Sequence, residues 1–440
     1  MRAVTVDWSI LPDLVCVTLL IFAFASISRN SRVQQSRVWL AGWILIAAHF
    51  DASLFLNGAG YVVNVADWIA LSTLSAAGIL FVWSAVPYRQ KVSIRWMVAA
   101  LLGSSTLYLG LITLASPPLW ILEGSAALLG VLPLAVTLVT LRRFRRPERW
   151  LVVFLYGMLG TFAIVVQPRA NGAFLTVNAL LFICYLACCI MFWFEYRIKS
   201  TGSFITIAGF LAWSMVFVVG PLTQSYLPKV HIGNEVWNLP KYMVAIGMIL
   251  LLLEDQIAHN RHLALHDELT GLANRRLFCE RLENALARAR RHNDQVALLL
   301  IDLNNFKRVN DADGHHVGDE VLKRVSSLFL TRIRISDTVA RTGGDEFSVI
   351  LEGPVTRQQA SEVAESLKSM LGEPLEVDGR VVRMGASIGL AMFPEDATAA
   401  DALCIAADVA MYSEKNEIKD GEQDRVANTM GDGLRGQLQG

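Results

Sequence analysis

Arg341-Thr342-Gly343-Gly344-Asp345-Glu346-Phe347 is the stretch on which the reading of this chain turns. Two glycines lie between the apolar segments Thr338–Ala340 and Phe347–Leu351, and two carboxylates follow them at once. This is the pattern of a tight β-hairpin whose turn approaches a ligand closely and presents acid groups to it. A further acid, Asp302, ends the apolar run Val296–Ile301. Carboxylates at strand ends are a common way to hold Mg²⁺ against phosphates.

Outward from the hairpin, residues 267–420 alternate between two periodicities. Arg276–Arg291 and His316–Ile333 carry apolar residues at helical spacing, with Leu277, Phe278, Leu282 and Leu286 in the first and Val317, Val321, Leu322, Val325 and Leu328 in the second. Gln358–Leu371 and Ala400–Glu417 also read as helices. Val296–Ile301 reads as a buried strand and Arg380–Phe393 as mostly strand. Alternating strands and helices with one antiparallel hairpin predict an α/β sheet covered by helices.

Several motifs in this region match one family in order. They are Asp267-Glu268-Leu269-Thr270-Gly271-Leu272-Ala273-Asn274-Arg275-Arg276, then Asp302, Phe306-Lys307, Asn310, Gly314-His315 and Gly318-Asp319. The hairpin Gly343–Phe347, Ala386-Ser387-Ile388-Gly389, Ala407-Asp408, Met411-Tyr412 and Lys415 complete the set. Asp267–Lys419 thus resembles a whole diguanylate cyclase (GGDEF) catalytic domain. The resemblance implies an α+β sandwich like nucleotidyl cyclases and polymerase palms. It also implies that two GTP molecules are condensed into cyclic di-GMP with release of two pyrophosphates.

That chemistry assigns expectations to residues. Two divalent ions, Mg²⁺ with Mn²⁺ as the alternative, can weaken the proton of an attacking 3′-hydroxyl and neutralise the α-phosphate. Asp302 and Asp345 are the carboxylates expected on them, and by resemblance the Leu303 carbonyl completes one shell. Asp345 and Glu346 both remain open as the proton acceptor. Backbone N–H groups of the turn Asn304–Lys307, with the Lys307 ammonium, suit the pyrophosphate. Asp319 can accept from the donor edge of guanine, and Asn310 can pair with both kinds of group. By resemblance His315 contacts nucleotide, Gly343 and Gly344 line the substrate, and Lys415 binds the terminal phosphate. Lys419 stands where the family usually has an arginine, after Ile418 in place of a glycine; lysine keeps the charge and loses the planar fork. Arg334 and Asp337, five residues ahead of the hairpin, match the family's product-inhibition site, where arginine grips guanine.

The first half of the chain is of another kind. The whole sequence is 54% hydrophobic with a formal net charge of zero, too apolar for an ordinary soluble protein. Residues 1–253 hold 17 Lys+Arg against 8 Asp+Glu, whereas residues 254–440 hold 22 against 31. An acidic soluble half excludes a nucleic-acid partner. Nine apolar runs are read, near Leu14–Ile27, Val38–Leu56, Trp68–Val86, Ile94–Ala115, Leu119–Leu141, Trp150–Val166, Phe174–Phe194, Phe204–Val219 and Val236–Leu253. The last is interrupted by Pro240 and Lys241. Most have the length a hydrocarbon core of ~30 Å requires.

Alternate loops are basic (Arg29, Arg32, Arg37; Arg89, Lys91, Arg95; Arg142, Arg143, Arg145, Arg146, Arg149; Arg197, Lys199), and the others are nearly free of Lys and Arg. Positive loops stay inside, which sets the N-terminus outside and residue 254 onward in the cytoplasm. Ala23-Phe24-Ala25 resembles a signal-peptidase site, but cleavage there would strand the acidic half outside, so an uncut chain is expected. His49 and Asp51 are ionisable groups within a span, two residues apart and so on different faces. Six cysteines show no metal spacing.

The expected organisation is a polytopic all-α membrane domain over 1–253, a helical linker over 254–266, the GGDEF domain over 267–420 and a disordered tail over 421–440. In a bacterial inner membrane this is a homodimer that contacts lipid, takes GTP and is inhibited by cyclic di-GMP. The alternative is a membrane receptor that binds GTP or cyclic di-GMP without catalysis.

Overall fold

The computed structural model describes residues 5–29, 35–57, 59–85, 92–115, 117–140, 147–169, 171–230, 232–377 and 379–417. The chain divides into two compact units, Met1–Ala258 and His259–Gly440.

The first unit is helical. Among the described residues its helices are α1 (Leu11–Arg29), α2 (Ser36–Ser53), α3 (Tyr61–Ser84), α4 (Val92–Leu114), α5 (Leu119–Thr140), α6 (Pro147–Val166), α7 (Gly172–Tyr196), α8 (Thr201–Tyr226) and α9 (Asn234–Leu265). Five segments, Trp8–Arg29, α3, α7, α8 and α9, are long and apolar enough to cross a membrane. Small residues let neighbours approach, as in membrane bundles. Gly130 of α5 and Gly160 of α6 are so close that a Cβ on either would meet the other's Cα. The interior is aromatic: Trp39, Trp43, Tyr185, Phe192, Phe210 and Trp213 are all buried, and Tyr185 stacks on Trp213 at 4.0 Å.

Pro240 and Lys241 do not end a helix, since α9 continues through both. The Lys241 charge is met by a polar group that a distant segment holds in place. Lys241 Nζ donates to Asn238 Oδ1 at 2.6 Å, and Asn238 Nδ2 donates to Asp13 Oδ2 of α1 at 2.6 Å. The Tyr242 hydroxyl donates to the other Asp13 oxygen, and Lys241 Nζ lies 4.6 Å from the centre of the Phe50 ring. His49 Nδ1 lies 2.9 Å from the Ala70 carbonyl.

The second unit is built on a four-stranded sheet of β1 (Val296–Asn304), β2 (Thr338–Arg341), β3 (Glu346–Leu351) and β6 (Gly385–Phe393), in the order β2-β3-β1-β6. Every pair in it is antiparallel. The alternating pattern therefore gives an α+β layering in which the four strands pair antiparallel and one isolated parallel bridge joins Ala273 to Ala340 of β2. A small ribbon pairs β4 (Leu375–Val377) with β5 (Arg380–Val382).

β1 is buried on both faces, which is why it reads as an unbroken apolar run. Ala297, Leu299, Ile301 and Leu303 pack with Val321, Val325 and Phe329 of α12 (His315–Arg332) and Leu367 and Leu371 of α13 (Arg357–Gly372). Val296, Leu298 and Leu300 pack on the opposite side, with α10 (Arg275–His292) and with α14, the helix over 400–417. By the period of two, Asp302 belongs to the α10–α14 side.

Candidate active site

β1 ends beside both of its neighbours. Asp302 is in register with Glu346 of β3 and with Ser387 of β6. The next residue ties the strand to the hairpin turn, since Leu303 N–H donates to the Asp345 carbonyl at 3.2 Å. Asp302, Leu303 and Asp345, the expected metal set, are therefore brought together at one strand end. Asp302 is buried, Asp345 half-buried and Glu346 exposed.

The turn closes with Thr342 N–H donating to the Glu346 carbonyl at 3.0 Å. Neither Gly343 nor Gly344 lies in the left-handed region, so the glycines serve space here. A Cβ on Gly343 would strike the Glu346 carboxylate, which folds back over it, and a Cβ on Gly344 would meet nothing within 4 Å. Open space at Gly344 is what a ligand approaching the backbone needs.

One clamp was not anticipated from the motifs. Arg341 donates from Nε and Nη2 to the Gly344 carbonyl at 3.1 and 2.7 Å. Its Nη1 reaches both Asp267 oxygens, at 3.0 and 3.2 Å. Asp267 Oδ1 also accepts from Thr270 N–H at 2.9 Å and from the Thr270 hydroxyl at 2.6 Å. Burial works against the Asp267 charge, but bonds from Thr270 and Arg341 outweigh it and hold its carboxyl below the usual range. The opening segment after α9 is thus fastened to the base of the hairpin. The Arg directly before the two glycines and the Asp opening the motif were the signals available.

After β1 the chain turns at Asn305, in the left-handed region at φ 64°, into the short helix α11 (Phe306–Asp313). Lys307 is exposed in its first turn. Asn310 lies over Gly318 of α12, where a Cβ would strike its side-chain oxygen. The next residue, Asp319, is exposed, as is His315 at the start of α12. Asn310 and Asp319, the expected guanine contacts, thus lie on adjoining helices.

Lys415 comes in from α14. Gly389 lets that helix lie against β6, because a Cβ there would strike the Ala407 carbonyl and Met411 N. Glu414 accepts from Ile388 N–H and pairs with Lys368. Lys415 Nζ then sits 2.7 Å from Asp302 Oδ1. Lys419 and Ile418 lie outside the described residues, as do Arg425–Thr429 and the tail.

Among the described residues, no three His, Cys, Asp or Glu side chains converge on a metal position. Two carboxylates and a carbonyl nonetheless suit Mg²⁺, which takes one or two carboxylates and completes its shell with water and substrate phosphates. The ammonium against Asp302 shows that this carboxylate accepts a cation.

Arg334 and Asp337 lie at the opposite end of β2, about 13 Å of strand from the turn at ~3.3 Å per residue. Arg334 is exposed. Asp337 Oδ1 accepts from Glu352 N–H at 3.0 Å. Both residues line a cleft of about 340 Å³ with Arg332, Glu352, Gln359 and Glu362.

Residues 264–421 match the family described as Diguanylate cyclase, GGDEF domain. This stretch is a GGDEF domain. Among curated proteins, the chain is 43% identical over 159 residues to the bifunctional diguanylate cyclase/cyclic di-GMP phosphodiesterase MucR of Pseudomonas aeruginosa, covering 36% of this chain and 23% of that protein. It is 40% identical over 168 residues to the diguanylate cyclase TpbB of the same organism, covering 38% of this chain and 39% of TpbB. The chain thus spans well under half the length of these relatives. Among solved structures, the isolated GGDEF domain of TpbB is 40% identical and matches 34% of this chain and 89% of its own, with a TM-score of 0.34. The coiled coil and GGDEF domain of DgcB from Caulobacter crescentus, in complex with cyclic di-GMP, is 25% identical and matches 41% of this chain and 95% of its own, with a TM-score of 0.38.

Proposed function

We propose that the protein is a membrane-embedded diguanylate cyclase that condenses two GTP into cyclic di-GMP. The observation that carries the reading is the junction at the end of β1, where Asp302, Leu303 and Asp345 meet through the Leu303–Asp345 bond of 3.2 Å. Bound Mg²⁺ would be held by Asp302, the Leu303 carbonyl and Asp345, and it would supply Lewis acidity to the attacking hydroxyl and the α-phosphate. Lys307 and the first amides of α11 face the pyrophosphate. Asn310 and Asp319 read the guanine edge. Asp345 or Glu346 takes the 3′-proton. One such site holds one GTP, so mutual attack needs two copies facing each other, and the enzyme works as a homodimer.

The apolar helices cross the cell membrane nine times, with the N-terminus outside and the GGDEF domain in the cytoplasm. Two features support this: the alternation of basic loops with loops nearly free of Lys and Arg, and the apolar side chains, such as Leu19, Phe22 and Phe154, exposed on the helical unit. The helical unit senses a signal and sets how often two catalytic domains meet. Product bound at Arg334 and Asp337 inhibits.

Incubating the purified full chain with GTP and Mg²⁺ tests the reading. One cyclic di-GMP should appear for every two pyrophosphates. Tight GTP or cyclic di-GMP binding with no product would instead make the protein a receptor.

A further inference from the structure

Lys415 bonds a carboxylate expected to hold metal, although the family resemblance sends it to a phosphate. The 2.7 Å contact to Asp302 has charge-assisted length. It is a sheltered pair, with the Asp302 side chain 13% exposed and that of Lys415 32% exposed. Among the described residues, no other side chain bonds the Asp302 carboxylate. A sheltered carboxylate without a cation would be costly, and the Lys415 ammonium meets that requirement.

The surroundings confine any movement to the side chain. α14 is pressed onto β6 at Gly389, and the preceding residue, Glu414, is fixed by Ile388 N–H and Lys368. The backbone that carries Lys415 is therefore held, while its four-carbon stem can turn. Among the described residues the metal set lacks a third acid, so the rest of a Mg²⁺ shell would come from water and substrate phosphate oxygens.

Resting on the cyclase reading of this site, we infer that Lys415 is a place-holding cation that occupies the metal seat on Asp302 until nucleotide and metal arrive together. When they do, the divalent ion takes the carboxylate and the ammonium turns to the incoming phosphates. Every charge keeps a partner through the exchange. The exchange makes the two ligands cooperative. Metal releases Lys415 for phosphate, phosphate draws Lys415 from Asp302, and the coupling is the same in either direction. Lys415 is then a positioning residue for metal as well as a phosphate contact, and metal without nucleotide binds weakly.

Mn²⁺ binding to the full chain, followed by electron paramagnetic resonance, reads this out without catalysis. Binding is measured with and without a GTP analogue whose α–β bridge is methylene. In the parent, the analogue should tighten Mn²⁺ by about 5- to 20-fold, a usual size for coupling between sites. Lys415→Met should bind Mn²⁺ more tightly than the parent when nucleotide is absent, and its coupling should fall toward unity. Lys415→Arg keeps a cation on Asp302 and should leave nucleotide-free binding near the parent's. A Lys415→Met protein with parental nucleotide-free affinity and undiminished coupling would overturn the inference. Product formation by the parent is assayed in parallel. Parent that makes cyclic di-GMP while its Lys415 variants show unaltered coupling refutes the place-holder and leaves the cyclase standing; parent that makes none refutes the cyclase reading itself.

Discussion

Single side chains carry most of the chemistry at the hairpin. Asp302→Asn and Asp345→Asn each remove one charge from the proposed metal set while keeping shape. Both should fold and lose cyclic di-GMP formation by a factor of 100 or more, on the order expected for removing a main electrostatic group; near-parental turnover in Asp345→Asn would refute the metal assignment. Arg341 is a different case, because it holds the Gly344 carbonyl and the Asp267 carboxylate at once. Arg341→Ala should cost roughly 1–3 kcal/mol of stability, since it removes both donors to the Gly344 carbonyl and leaves the Asp267 carboxylate to Thr270 alone, and should slow turnover more than it raises the KM for GTP. The Asp267 carboxyl is held below its usual range, so the contact is fully present above that range and is lost as pH falls through the lowered value. Asp267→Asn should therefore flatten the acid limb of an unfolding profile, and a limb unchanged from the parent would remove Asp267 from the account. Arg334→Ala should leave initial velocity unchanged and weaken inhibition by added cyclic di-GMP; equal inhibition of variant and parent would put the feedback site elsewhere.

Elements were legible where one periodicity dominated, and less so where a distant partner decided. The run Val296–Ile301 announces β1, and the apolar positions of α10 and α12 announce their buried faces. α11 escaped because its eight residues carry only Phe306 and Val309 as buried positions, too few for a period. Pro240 and Lys241 argued for an interrupted span, yet α9 runs on because Asp13, 225 residues before Asn238, bonds the polar group beside them. No window of local sequence holds that information. The same is true of Gly389, which the motif Ala386–Gly389 flagged without explaining. The structure accounts for it as the contact point of β6 with α14. Gly389→Ala drives a Cβ into the Ala407 carbonyl, so α14 must shift. It should destabilise by about 1–3 kcal/mol, the usual cost of overpacking, and displace Lys415 from Asp302. A thermal-shift measurement with Mn²⁺ titration checks both effects, and a parental melting temperature would mean that the helix yields without cost.

At the scale of the whole molecule, the sequence splits by charge and hydropathy where the structure splits into units. Residues 1–253 are apolar and basic, residues 254–440 acidic, and the units divide at Ala258 and His259. The apolar runs were legible because most have the length that a hydrocarbon core of ~30 Å requires. Five of the resulting segments satisfy length and composition for crossing. Orientation rests on the loops instead. Most of the basic residues that set it, including Arg142, Arg143, Arg145 and Arg146, lie outside the described residues. A cytoplasmic GGDEF domain and an external N-terminus require an odd number of crossings. With nine, the loop at Arg145 is inside and the α2–α3 loop at Asn57 is outside. A membrane-impermeant thiol reagent applied to intact cells separates the possibilities. Cys16 is exposed on α1, so Cys16→Ser is the background in which single cysteines are introduced. Asn57→Cys should label from outside, and Arg145→Cys only after the membrane is opened. External labelling at Arg145→Cys would reverse the alternation of loops. It would also place the two halves of the charge pattern on the wrong sides of the bilayer, and the nine-crossing topology would have to be abandoned.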